Sequence, residues 1–204
     1  MSLRWILLTA LTAFAGCGVP TVPDFTYFRL PRAQSLEQAA TALFRDPLVV
    51  DAFGADGLYG DQSLIYALDP GAQQLRQYHY QLWTDPPTRI LQRRLIAQLR
   101  EAHASAEVTD ELPASQSAIR ISGIILRFDR VPTEAGGFNA VVALKLRADR
   151  ADGTPLLDDY YHAEVAAGGT DLKATVDAYG AALDTIFAQF YADLRKRGTN
   201  AHAG

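Results

Sequence analysis

"AIRISGIILRFDRV", residues 118 to 131, is apolar on both of its alternating faces. Ile119, Ile121, Ile125, Phe128 and Val131 are interleaved with Ile124 and Leu126 around a lone glycine, Gly123. Successive side chains of a strand point to opposite faces. A run that is apolar on both therefore belongs to the middle of a sheet, with cover above and below. The glycine is where a bulge is expected.

The chain downstream of this strand has the pattern of a meander. In "GFNAVVALKLRAD" (137–149), Phe138, Ala140, Val142, Leu144 and Leu146 face one side, while Asn139, Lys145 and Arg147 face the other. Gly136-Gly137 and Asp152-Gly153 bracket it with hairpin chemistry. "TPLLDDYYHAEV" (154–165) supplies the third antiparallel strand, and places the rings of Tyr160 and Tyr161 on opposite faces. A helix from about Asp171 to Arg195 follows. It carries Leu172, Val176, Tyr179, Leu183, Ile186, Phe187, Phe190 and Leu194 on one stripe.

Upstream, "FTYFRL" (25–30) and "PLVVDAF" (47–53) have strand composition. "SLEQAATALF" (35–44) has helical propensity and a Ser35/Gln38 capping-box spacing, but Pro47 stops it soon, which leaves helix and loop open. "SLIYAL" (63–68) and "LRQYHYQLW" (75–83) flank Asp69-Pro70-Gly71 and should form a hairpin. Pro86 and Pro87 then open a helix, with Thr84 or Asp85 as its cap. Leu91, Leu95, Ile96, Leu99 and Ala102 form its apolar face, while Arg93, Arg94 and Arg100 are expected in solvent. The expected fold is α/β: a mixed, largely antiparallel sheet of five or more strands with two long amphipathic helices.

The first residues, "MSLRWILLTALTAFAGCG", have a basic start at Arg4, an apolar stretch from Trp5 to Ala15 and a small-residue exit, as in a secretory signal. The stretch spans roughly 16 Å as a helix, about half a hydrocarbon core. Phe14-Ala15-Gly16-Cys17 resembles the bacterial lipoprotein box, although Leu is commoner than Phe at its first position. That resemblance implies cleavage between Gly16 and Cys17, with diacylglycerol on the sulfur and an acyl group on the new amino terminus. Gly18 in place of Asp favours the outer membrane, by the same resemblance. Cys17 is the single cysteine of the 204 residues, so no disulfide can form within the chain. The expected organisation is a signal at 1–16, a lipidated tether at 17–24, one domain at 25–197 and a disordered tail at 198–204.

Nearly half of the residues are apolar and the formal net charge is −4, without a basic stripe, which argues against a nucleic-acid partner. Several segments stand in a telling order. The lipoprotein box precedes "YFRLP" (27–31) and "LVVDAFGADGLYGDQSLIYAL" (48–68), and "YHYQLWTDPPTRILQRRLIAQL" (78–99) and "ISGIILRFDRV" (121–131) follow. This order resembles the ABC-type transport auxiliary lipoproteins, which include PqiC-like outer-membrane partners of MCE transport systems. The resemblance implies a fold like that of the TolB N-terminal and anticodon-binding domains. It also implies a non-catalytic, periplasm-facing lipoprotein that works beside an MCE-domain protein and an inner-membrane ABC permease and ATPase. The cargo would be lipids or other hydrophobic molecules, and self-association of relatives leaves a homo-oligomer open. The other reading is a structural lipoprotein that braces an envelope complex without meeting cargo.

Residue chemistry gives little support to an enzyme. No phosphate-loop motif occurs, and Gly54, Gly57 and Gly60 lead toward a strand rather than a helix N-terminus. His79, His103, His162 and His202 lack metal-ligand spacing, and Asp158 and Asp159 point to opposite faces. No catalytic residue, metal or cofactor is expected beyond the lipid on Cys17. Tyr59, Tyr78, Tyr80 and Trp83 are the candidates for a partner interface, because exposed aromatics anchor such surfaces. The competing reading places these rings in the core.

Overall fold

The structure is a computed structural model that describes residues 23–113 and 116–200. Gly16, Cys17 and His202 lie outside the described residues.

The apolar run read as a central strand is the spine of the sheet. It forms β7 (Ile119–Pro132), among nine strands: β1 (Thr26–Phe28), β2 (Leu48–Val50), β3 (Gly54–Ala55), β4 (Ser63–Ala67), β5 (Leu75–Trp83), β6 (Val108–Thr109), β8 (Phe138–Asp149) and β9 (Pro155–Ala166). One edge of β7 pairs antiparallel with β8 along nearly its whole length, and β8 pairs antiparallel with β9. The other edge receives β2, β3 and β4 in succession, all parallel to it. Between β3 and β4 the chain makes a 3-10 turn, Gly57–Gly60, in which Gly57 has a positive φ. β4 and β5 form the expected hairpin, and β1 and β6 add parallel outer strands beside β5 and β2. The sheet is therefore of mixed orientation. Five pairings are parallel and three are antiparallel. The antiparallel ones follow tight turns, and the parallel ones close over longer connections.

The expected bulge is displaced from Gly123. The register slips between Ile125 and Arg127, while Gly123 pairs in step with Leu146. The glycine answers a different constraint, because a Cβ at this position would lie 2.6 Å from the Phe53 ring. Phe53 is itself buried, so the ring has little room to retreat. Gly123→Ala is expected to destabilise the domain by about 1–3 kcal/mol through overpacking. Urea unfolding would show this as a lowered midpoint, and a midpoint equal to the parent's would contradict it.

Helix α1 (Pro87–Glu101) begins with Pro86 as its N-cap and Pro87 at its first position, without a side-chain cap. Thr84 and Asp85 do not cap it. Asp85 pairs with Arg93, and the Thr84 amide donates to the Phe28 carbonyl at 3.0 Å. A proline in the first turn has no N–H to satisfy, which reduces the need for a cap. Leu91, Leu95, Ile96, Leu99 and Ala102 are all buried as the spacing requires. Arg94 departs from expectation, being buried rather than solvated.

Residues 35–44 form no helix. They run across the end of α1, where the Ala39 amide donates to the Ala102 carbonyl at 3.1 Å and the Phe44 amide to the Ala104 carbonyl at 3.0 Å. The last carbonyls of a helix lack intrahelical donors. The passing strap supplies one at Ala102, bridges to Ala104 just past the helix, and buries Leu36 and Phe44. This tertiary gain outweighs a modest helical propensity.

Helix α2 (Leu172–Asn200) runs past the expected end at Arg195. The Asp171 carboxylate accepts from the Ala174 amide at 2.7 Å and caps its start. It packs across β8 and β9, while α1 packs on β2, β6 and the 3-10 turn. Ala140, Val142, Leu144, Leu146 and Ala148 of β8 are fully buried in the main core, together with Leu183, Ile186, Phe187 and Phe190 of α2. Where described, no helix is long and apolar enough to cross a membrane.

Candidate functional site

The four aromatic interface candidates do not come together as one surface. Trp83 is 1% exposed, packed between Phe128 at 5.3 Å and Tyr179 at 5.7 Å between ring centroids. Tyr59 is buried, and its hydroxyl donates to Asp129 Oδ1 at 3.0 Å. Both are core residues rather than partner contacts. Tyr78 is half-buried against Tyr66, and its hydroxyl accepts from Arg130 Nη1 at 2.9 Å. Tyr80 is also half-buried and touches the Phe25 ring at 5.5 Å. The alternation along β5 does not sort these rings because the β4–β5 register slips between Ser63 and Ile65.

Two polar groups sit in the interior near β7. Asp129 is fully buried and takes hydrogen bonds from Tyr59 and from Arg127, whose Nη2 lies 2.7 Å from Oδ2. Arg130 donates to the Thr175 hydroxyl at 3.1 Å and to the Thr170 carbonyl at 2.6 Å, with its guanidinium 3.2 Å from the Phe138 ring centroid. These partners satisfy the charges and close both positions to a substrate, so the groups act as structural ties.

Burial, aided by the adjacent Asp129, raises the Tyr59 hydroxyl well above its ordinary value. Burial, with Asp193 at hand, does the same for Tyr161, and burial dominates for Tyr179. Unfolded tyrosine gives up its proton near pH 10. Above that, the unfolded chain binds fewer protons than the folded one, so stability falls as pH rises. Below it, this contribution is fully present. Urea midpoints measured from pH 8 to 11 should decline above about pH 10. A flat profile would contradict the burial of these hydroxyls.

The face of the meander turned away from the helices is exposed. Directly opposed residues on β7, β8 and β9 form rows, one being Ile124, Lys145 and Tyr160, and the next Ser122, Arg147 and Asp158. Tyr160 is 67% exposed and Ile124 is 40% exposed. The Lys145 ammonium lies 5.3 Å from the Tyr160 ring centroid and 3.3 Å from Asp158, which also receives Arg147 at 3.5 Å. The opposite assignment of Tyr160 and Tyr161 holds, since Tyr161 is buried and donates to Asp193 at 3.2 Å. An open sheet face with a large exposed ring and ion pairs along its rows is a candidate for contact with another protein. The alternation of 137–149 already turned Lys145 and Arg147 outward. Ile124 was hidden in a strand apolar on both faces.

Among the described residues, no group of three or more His, Cys, Asp or Glu side chains could hold a metal. Gly54 falls in β3 and Gly57 and Gly60 bound the 3-10 turn, so the glycine series builds a bend before β4 rather than a phosphate cradle.

A family model described as the ABC-type transport auxiliary lipoprotein component matches residues 58–190. A comparison with curated proteins gave no match. Among solved structures, the chain resembles a Xanthomonas campestris protein of the DUF330 family, at 16% identity and a TM-score of 0.75. That likeness covers 88% of this chain and 100% of the other. A second, described as an uncharacterized protein, is 16% identical with a TM-score of 0.63 and covers 85% of this chain and 98% of its own. At these identities the likeness is one of fold.

Proposed function

We propose that this chain, which belongs to the ABC-type transport auxiliary lipoprotein family, is a non-catalytic component of an MCE-type system that moves lipids or other hydrophobic molecules through the cell envelope. Membership links it to ABC transport and, as a lipoprotein, to a membrane. In this reading Cys17 carries diacylglycerol and an N-acyl group after cleavage at Gly16, and holds the domain at the periplasmic face of the outer membrane. Two or more acyl chains make such an anchor effectively permanent, because each buried methylene contributes about 0.8 kcal/mol. The open face of β7, β8 and β9 is the surface offered to the MCE-domain protein or the permease complex.

The observation that carries this reading is the family match, which runs from the 3-10 turn through most of α2. The buried ties at Asp129 and Arg130 accord with it, since both groups are held by partners within the fold. Cys17→Ser is the experiment that tests the anchor. With residues 1–16 replaced by a signal cleaved independently of Cys17, the variant should leave the membrane fraction for the soluble one, and persistence in the membrane would contradict lipid attachment at Cys17 as the anchor.

A further inference from the structure

The first strand has an outward face that the core does not use. Phe28 and Leu30 pack against the core, whereas Phe25 and Tyr27 are 57% and 58% exposed, and Arg29 is exposed as well. Tyr80 adds a third ring beside Phe25. Among the described residues β1 pairs only with β5, so this aromatic ridge lies along an outer edge of the sheet. Exposed rings at alternate positions on an edge strand invite unwanted pairing. Their retention calls for an occupant.

The tether says what that occupant is. Seven residues lie between Cys17 and Phe25, so eight Cα-to-Cα steps connect them. Fully extended they reach at most about 29 Å, and as a flexible chain about 16 Å. An acylated Cys17 therefore holds the ridge within about 29 Å of the bilayer surface. Tyrosine suits the headgroup layer, with an apolar body and a polar tip, and nearby arginines find phosphates there. Arg29 stands at the end of the ridge, and the Arg32 side chain is 91% exposed.

We propose that the β1 edge, with Phe25, Tyr27 and Arg29, is the face that this domain lays against the bilayer that anchors it. The inference rests on the lipidation of Cys17 proposed above. It also orients the molecule. β9 is at the opposite edge of the sheet, beyond β5, β4, β7 and β8. At about 4.8 Å between strands, that edge stands roughly 24 Å from β1. Phe25 and Tyr27 project from the same helix-free side of the sheet as Tyr160, so the sheet stands on its β1 edge rather than lying flat, and Tyr160 at the far edge stays clear of the membrane and free for a protein.

The test uses the full lipidated chain, whose native thiol is blocked by acylation. A nitroxide is attached at Tyr27→Cys or, as the distal control, at Tyr160→Cys. Both side chains are exposed, so both variants should fold, and circular dichroism checks this. The proteins are placed in phosphatidylethanolamine–phosphatidylglycerol vesicles, and the labels' collision rates with oxygen and with a water-soluble nickel complex are compared by electron paramagnetic resonance. The label at 27 should favour oxygen over nickel several-fold more than the label at 160. Equal, water-like behaviour at both positions would overturn the inference, as would a label at 27 shielded from both reagents, the mark of a protein contact. Intact mass separates the two levels. A chain without acyl groups overturns the anchor and this inference together, whereas an acylated chain with a water-exposed label at 27 overturns this inference alone.

Discussion

Trp83→Ala lowers the stability of the domain by about 3–5 kcal/mol, the usual cost of emptying a large buried aromatic site. The indole is almost fully enclosed and shares a ring cluster with Phe128 and Tyr179, which also contact one another at 4.4 Å. These three rings tie β5, β7 and α2 together, so the cavity would open where the hairpin, the spine and the long helix meet. The loss is one of folding rather than of recognition. Thermal or urea unfolding should show a large fall in midpoint. Any folded fraction of the variant should bind partners as the parent does. A variant of parental stability that binds its partner poorly would restore Trp83 as an interface residue.

Asp184→Ala should be similarly damaging. Arg94 and Asp184 are 7% and 11% exposed at the side chain, and the guanidinium lies 2.7 Å from Asp184 Oδ1. Arg94 also donates to the Pro31 carbonyl at 2.7 Å, and Gln98 donates to Asp184 at 3.2 Å and to the Gln34 carbonyl at 2.7 Å. This group fastens the strap at residues 31–34 to both helices. Gly180 lets the strap approach, since a Cβ there would fall 2.3 Å from the Pro31 ring. Removing one member of a buried pair leaves the other charge uncompensated and typically costs about 3–5 kcal/mol. Replacing both, as in Arg94→Met with Asp184→Ala, should cost less than the sum of Arg94→Met and Asp184→Ala made singly, because no lone charge remains. Chemical denaturation of the four proteins of this cycle decides the point. Additive losses would contradict a coupled pair.

Local pattern made much of this fold legible, and its failures have a common cause. The spine at 118–131, the meander and the apolar faces of both helices follow from periodicities of two and 3.6 residues. Such periodicity does not count partners across a sheet, so it could not reveal that β2, β3 and β4 share one edge of β7. Arg94 looked solvated because the apolar stripe of α1 excludes it, yet its nearest carboxylate is ninety residues away on α2. Residues 35–44 had the composition of a helix and lost it to the open carbonyls at the end of α1. Gly123 looked like a bulge but is a contact point for Phe53.

The candidate surface divides in the same way. Tyr160 and Tyr161 were separable by strand alternation alone. Tyr78 and Tyr80 were not: two residues apart, they share a face by alternation, yet Tyr78 packs against the core and Tyr80 meets Phe25, because the β4–β5 register slip intervenes. The outward ridge of β1 was readable in "FTYF" as alternation, but its exposure depends on β5 covering one edge only.

The central claim is that this protein works as the anchored accessory of an ABC-type transport system. Affinity purification of the natively expressed, mildly cross-linked protein from envelopes, with the recovered proteins identified by mass spectrometry, tests it most directly. The account predicts recovery of an MCE-domain protein together with a permease and its ATPase, lost when Cys17→Ser behind an independently cleaved signal releases the domain from the membrane. Recovery of the lipidated protein without any transport component would contradict it.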